Sequence, residues 1–365
     1  MQIDLARFVD LGTGHETPLL PAQRFRVRER GVRFPVTTPA LTPIEPHPMD
    51  LDMPRASLFH FGQATVHGYR LLEIAGRAAH DGSLANDRPQ KFPARPELRM
   101  FEEVALDGPR PLSRSGITVT EPVRGAVFCG VHEISNFGSW LFRALPKLLL
   151  ARKHAPGRPV MISQRTAWMR AITRLAYPEA EVIDHQADRS YHLEDVVVPS
   201  LATPEAYVRP ELQAMFTELV ASLPKVPGSP ERIYLSRRGQ QTRVLENEAE
   251  LVDRLADRGF VEFFPERHTI EHQLAVISQA RVIVCPGGSG LFGTLFARQA
   301  EMLIDLEANQ EWVHAHRNVL DASGRPFSMA QGAQFTEDKT HLGPHRNWIV
   351  DVDGTVLGLK HLGIT

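Results

Sequence analysis

From Gly125 onward, short apolar runs rich in β-branched residues alternate with longer segments of helical pattern, and this alternation leaves few architectures open. AVFCG (126–130), RPVMIS (158–163), AEVID (180–184) and LEDVVVP (193–199) read as strands, with helices at NFGSWLFRALPKLLLARK (136–153) and WMRAITRLAY (168–177). A further helical stretch (204–223) leads to PKVPGSPE (224–231), a Pro/Gly/Ser run that reads as a linker. The alternation then restarts. Strands RIYLS (232–236), FVEFF (260–264), RVIVC (281–285) and MLIDL (302–306) are separated by NEAELVDRLADRG, IEHQLAVISQA and SGLFGTLFARQ. Repeated strand–helix units imply parallel sheets with helices packed on their faces.

The expectation is therefore an α/β chain with two Rossmann-like domains facing a cleft. Residues 1–120 form an irregular, β-rich N-terminal segment, in which five prolines between 35 and 48 exclude a regular helix or central strand. Residues 121–223 form the first Rossmann-like domain and 224–330 the second. Residues 331–365 are expected to return and pack on the first block.

Composition narrows the class. Of 365 residues, 42% are hydrophobic and 23% charged, as in soluble globular proteins. A net charge of −2 argues against a nucleic-acid partner. Two cysteines, Cys129 and Cys285, cannot build a disulfide framework and suit a reducing compartment. No apolar run approaches the roughly 20 residues that span a bilayer, and the opening MQIDLARFVDLG lacks the apolar core of a secretory leader. The expected location is cytoplasmic, with peripheral membrane contact left open.

VIVCPGGSGLFGTLF (282–296) holds G-x-G-x-x-G at Gly288, Gly290 and Gly293, between a strand and a helix. Such a turn lets backbone N–H groups approach an anion, and the helix dipole favours negative charge there. A dinucleotide site also needs an acidic residue about 20 positions further on. Asp305 comes only twelve positions after Gly293, and too little chain follows for a second half-sheet. A nucleotide diphosphate suits the loop better than NAD. A plain packing turn is the alternative. The histidine pairs His268/His272, His314/His316 and His341/His345 lack the CxxC or HExxH context of a zinc site, so neither metal nor cofactor is expected.

The second block resembles glycosyltransferase family 61 in order and spacing, through Tyr234-x-Ser236-Arg237, Arg243, Asn247-Glu248, Gly259-Phe260, Gln273, Ala280, Gly288-x-Gly290-Leu291 and Phe296. NFGSWLFRALPKL (136–148) is similar to a second family stretch. The resemblance implies a GT-B architecture and inverting, metal-independent sugar transfer, with the donor on the second domain and the acceptor mostly on the first. Bacterial surface polysaccharide synthesis is the implied setting. A nucleotide-sugar donor and a glycan or glycolipid acceptor are the implied partners.

On that reading Arg237 and Arg243 clamp a diphosphate, Gly288, Ser289 and Gly290 cradle it, and Asp305 meets a ribose hydroxyl. Asn136, Ser139 and Arg143 lie on the acceptor side. His132 and Glu133, on the loop after AVFCG, are the candidate bases for the acceptor hydroxyl. Arg238 has no counterpart in the motif and is expected to face solvent. The chain also departs from the family pattern, with Ser139 and Gly287 at usual histidines, Arg143 at a usual acid and Gly293 at a usual asparagine. These departures support a second reading, a catalytically degenerate member that binds nucleotide, glycan or a partner without turnover.

Overall fold

The computed structural model describes residues 3–27, 34–37, 49–68, 71–80, 118–119, 122–131, 136–186, 189–308, 312–334 and 345–365. The chain divides into two compact units: residues 1–23 with 52–204, and residues 24–51 with 205–365. The division falls earlier than the 224–231 linker read from sequence. Among the described residues, no helix is long and apolar enough to cross a membrane.

The first unit is built on a mixed sheet. Arg189–Pro199, Val127–Phe128, Val160–Ile162 and Val182–Asp184 lie side by side and parallel. The other edge of Arg189–Pro199 pairs antiparallel with the long strand Ala56–His67, which continues the sheet through Leu71–Ile74, Arg77–His80 and Ile3–Asp4. Most of the β-rich N-terminal region is thus part of this sheet, while Gln23–Val27 and Met49–Met53 pair in a two-stranded sheet of their own. Most of the Pro-rich stretch, from 38 to 48, lies outside the described residues.

The helix at 137–154 contains a wider π turn at Trp140–Ala144, where the Leu145 N–H reaches back to the Trp140 carbonyl. Pro146 has no N–H to donate to the Phe142 carbonyl one turn earlier; the Thr203 hydroxyl donates to it instead.

The second unit is a doubly wound sheet. Its strands run in the order Val261–Phe263, Arg232–Leu235, Val282–Pro286, Met302–Glu307, Phe327–Gln334, Trp348–Val350, parallel except for the last. Alternate residues feed two cores. Tyr234, Val284, Ile304 and Leu306 pack with the helices Glu248–Ala256 and Val352–His361, while Ile233, Ile283, Cys285 and Leu303 pack with Ile270–Gln279 and Val313–Ala322. This two-sided burial explains the near-continuous apolar runs. The segment expected to form a helix after the glycine loop is instead 3₁₀, Ser289–Phe296.

The described part of the C-terminal stretch belongs to the second unit. Trp348–Val350 joins the second sheet, and Val352–His361 packs on it. Gly354 and Gly358, one turn apart on that helix, leave room for the backbone of Pro35 and the ring of Phe34. Asp351 caps the helix through Gly354 N–H at 2.8 Å and also accepts from the Thr37 backbone and hydroxyl. Residues 34–37 are thereby tied to the second unit.

Candidate functional site

In a doubly wound sheet the strand order reverses once, and ligands bind beyond the carboxyl ends of the two strands at that point. Here those strands are Arg232–Leu235 and Val282–Pro286. The residues that follow them are Ser236-Arg237 and Gly287-Gly288, so sheet topology alone brings the two predicted donor-binding segments together.

Their contact is close. Gly288 has φ +148° and ψ −170°, open to glycine but strained for other residues. A Cβ there would stand 3.2 Å from the Arg237 Cζ and closer still to Nη1. The guanidinium occupies the side of the turn that a side chain would otherwise fill. Its Nη2 donates to the Thr242 carbonyl at 3.3 Å, while its buried Nε has no hydrogen-bond partner. Among the described residues no carboxylate forms an ion pair with Arg237. Burial, and then the charge of Arg243, push its pKa down from the ordinary arginine value. It still carries its charge at any physiological pH.

Glu248 anchors the first of these segments. From the start of its helix, one oxygen accepts from the Tyr234 hydroxyl at 3.0 Å, the Ser236 hydroxyl at 3.2 Å and the Arg237 backbone N–H at 2.8 Å. The side chain is 3% exposed. Burial and the Glu248 charge raise the Tyr234 pKa well above the ordinary tyrosine value, so the hydroxyl remains a donor. Arg238 points away from this centre and pairs at the surface with Glu262.

Arg243 is placed differently from the clamp expected of it. Its side chain is buried, its φ is +56°, and Nη2 lies 3.3 Å from both carboxylate oxygens of Glu307. The backbone is held by the 345–350 stretch: Arg243 N–H donates to the His345 carbonyl, and the Trp348 indole donates to the Arg243 carbonyl at 3.1 Å. Asn247 exchanges two hydrogen bonds with Val350.

Asp305 and Glu307 stand two residues apart on Met302–Glu307, both buried, and share His316 from the following helix. Nδ1 of His316 lies 3.2 Å from Asp305 and 2.8 Å from Glu307. Burial alone would lower the pKa of this imidazole, but the two carboxylates outweigh it and hold it up at about 9. Burial also raises the Asp305 carboxyl, against the opposing pull of His316. Asp305 is fully enclosed rather than open to a ribose, and its Oδ1 is buried without a partner.

The ligand atoms of Asp305, Glu307 and His316 lie within 4.8 Å of one another, a spacing a metal ion can bridge. Charge argues otherwise. An imidazolium and the Arg243 guanidinium already balance two carboxylates, and a divalent ion would have to displace a tightly held proton. The same group explains Gly287, since a Cβ there would be 3.0 Å from both Glu307 Cδ and His316 Cε1. Gly293 packs on Ile277.

In the first unit, Asn136, Ser139 and Arg143 share the start of one helix. The Asn136 side chain caps it, accepting the Ser139 N–H at 2.9 Å, and the Arg143 Nη1 donates to the Ser139 hydroxyl at 3.3 Å. His132 and Glu133 lie outside the described residues. Sequence reasoning missed His316 in this role. It quoted Glu248 without seeing that it fixes Arg237.

The second unit is thus a doubly wound α/β sheet that carries, at the strand switch and against a glycine turn, a guanidinium without a carboxylate partner among the described residues. Residues 137–304, somewhat under half of the chain, match the family model described as Glycosyltransferase 61. The match supports a glycosyltransferase of that family. No curated protein matches the chain.

Proposed function

We propose that the chain is a glycosyltransferase whose second unit holds a nucleotide-diphosphate sugar, with the diphosphate on Arg237 and the Gly288-Ser289-Gly290 turn. The observation that carries this reading is the half-buried Arg237 guanidinium, without a carboxylate partner among the described residues, packed against a glycine at the strand switch. An uncompensated buried cation is costly, and an anionic ligand removes that cost.

The transfer is an inverting displacement. The acceptor oxygen attacks the anomeric carbon, the bond to the diphosphate oxygen breaks with its electron pair, and the acceptor proton passes to a base, His132 or Glu133. Arg237 stabilises the charge that gathers on the departing diphosphate. Asn136, Ser139 and Arg143 serve the acceptor in a GT-B arrangement. A bacterial surface glycan or glycolipid, elongated on the cytoplasmic side, is the setting.

The second reading, binding without turnover, has its own support. The ionisable side chain on the first turns of the 137–154 helix is a guanidinium, which cannot act as base.

Thermal unfolding against UDP-, GDP-, CMP- and ADP-sugars tests both. A donor at about 100 times its Kd adds about 2.7 kcal/mol of stability, and Arg237→Ala is expected to abolish the shift. Donor hydrolysis or transfer then separates enzyme from binder. Absence of any shift across the panel refutes the nucleotide reading.

A further inference from the structure

We propose that Glu307 is a resident counter-ion, which Arg243 releases when a pyrophosphate-bearing ligand enters, and that His316 holds the carboxylate so released. This rests on the donor-site reading above and adds a mechanism by which that site accepts charge.

The observations converge on one exchange. Arg243 is near enough to Arg237 for its charge to disfavour that of Arg237. Among the described residues only Arg243 of the two is met by a carboxylate: it faces Glu307, at 3.3 Å to each oxygen through a single nitrogen, longer than a strong charged pair. Glu307 has a second and shorter cationic partner in His316, at 2.8 Å. Loss of Arg243 therefore does not strand a buried carboxylate. Its Oε1 also accepts the Ala308 N–H at 2.8 Å, which holds the carboxylate in place whichever cation it faces.

Charge balance supports the same step. Among the described residues the ionisable groups gathered here are Arg237, Arg243, Glu248, Asp305, Glu307 and His316, with the Tyr234 hydroxyl and the Cys285 thiol kept neutral by burial. Three cations face three carboxylates before any ligand arrives. A pyrophosphate brings further negative charge and meets Glu307 as a rival for Arg243. Entry is tolerable because Glu307 keeps its imidazolium. Gly287 completes the arrangement, because its missing side chain is the space that Glu307 and His316 fill.

The test is calorimetric titration of inorganic pyrophosphate into the full chain and its variants. Glu307→Gln removes the rival charge with little change of shape, and pyrophosphate is expected to bind about tenfold more tightly, equivalent to about 1.4 kcal/mol. In an Arg243→Ala background that gain is expected to vanish. His316→Gln removes the imidazolium that holds Glu307 and is expected to weaken binding several-fold, which keeps the proposal testable should Glu307→Gln fail to fold.

Equal or weaker binding by a folded Glu307→Gln chain, while wild type binds, overturns the exchange and leaves the donor site standing. Unchanged binding by His316→Gln overturns it as well. Binding by Glu307→Gln but not by wild type upholds it. If neither chain takes pyrophosphate, nor any nucleotide sugar shifts the melting curve, both readings fall together.

Discussion

Gly288→Ala is the sharpest perturbation of the site, because one methyl group acts on two independent features. At φ +148° and ψ −170° the backbone lies where residues with a Cβ are strained, at a cost of about 1–3 kcal/mol. The same Cβ stands 3.2 Å from the Arg237 Cζ and nearer to Nη1, so the guanidinium must swing away from the turn. Loss of one charge-assisted hydrogen bond to a ligand costs about 1.5–3 kcal/mol, which is roughly a ten- to 150-fold loss of affinity. Calorimetric titration of pyrophosphate and of the best nucleotide sugar measures this directly. Denaturant unfolding of the same chain measures the backbone cost separately. Alanine at 288 with ligand affinity within twofold of wild type would refute the reasoning, since Arg237 would then not need the glycine. Comparing Gly290→Ala is instructive, because no atom lies within 4 Å of the position its Cβ would take. That variant is expected to fold and to keep Arg237 in place.

The remaining predictions concern the supporting groups. Glu248→Gln removes the charged acceptor for Tyr234, Ser236 and Arg237, and is expected to cost about 1.5–3 kcal/mol in urea unfolding; a cost below about 0.5 kcal/mol, as at an ordinary surface position, would show that those donors find other partners. His316 has a folded pKa near 9, above its unfolded value of 6.5, so its stabilisation is complete below pH 6.5 and is lost as pH rises through 9. Unfolding midpoints measured across that window should fall in wild type and flatten in His316→Gln. Cys129 is 1% exposed and pushed up to about 12 by burial, and Cys285 is raised in the same way, so neither should react with iodoacetamide in the native chain at pH 8. Mass spectrometry of an early labelled cysteine would contradict the burial described.

Much of the second unit was legible because its sheet is buried on both faces. Val282–Pro286 and Met302–Glu307 appear in sequence as apolar runs bounded by breakers. Element order left Arg237 open between a ligand site and a solvated loop, and only the family resemblance paired it with Gly288. Other features had no local signal. His316 faces Asp305 and Glu307 only because the helix after Met302–Glu307 folds back on its own strand, and nothing in the sequence His-x-His says which ring turns inward. Arg243 adopts a positive φ, unusual for a non-glycine residue, and is set by contacts with residues about a hundred positions away. The N-terminal region was legible as β-rich but its place in the fold was not, because Ala56–His67 finds its partner at Arg189–Pro199, a pairing that periodicity cannot reveal. Helical periodicity over 289–296 was read as α where tight glycine geometry gives 3₁₀.

The clasp between residues 34–37 and the helix Val352–His361 bears on the order in which the chain can fold. Thr37 and Asp351 are 314 positions apart in sequence. On the ribosome the strap emerges early, and its binding groove, cut by Gly354 and Gly358, emerges only after the intervening first unit has been made. The second unit therefore reaches its final form only when an already synthesised segment is captured from behind. Closing so long a loop adds modestly to the entropic cost, since that cost grows only logarithmically with length, but such distant pairings slow folding. A piece beginning at residue 205 would carry Arg237, the glycine turn and Glu307 and still lack the residues that pack on Gly354 and Gly358.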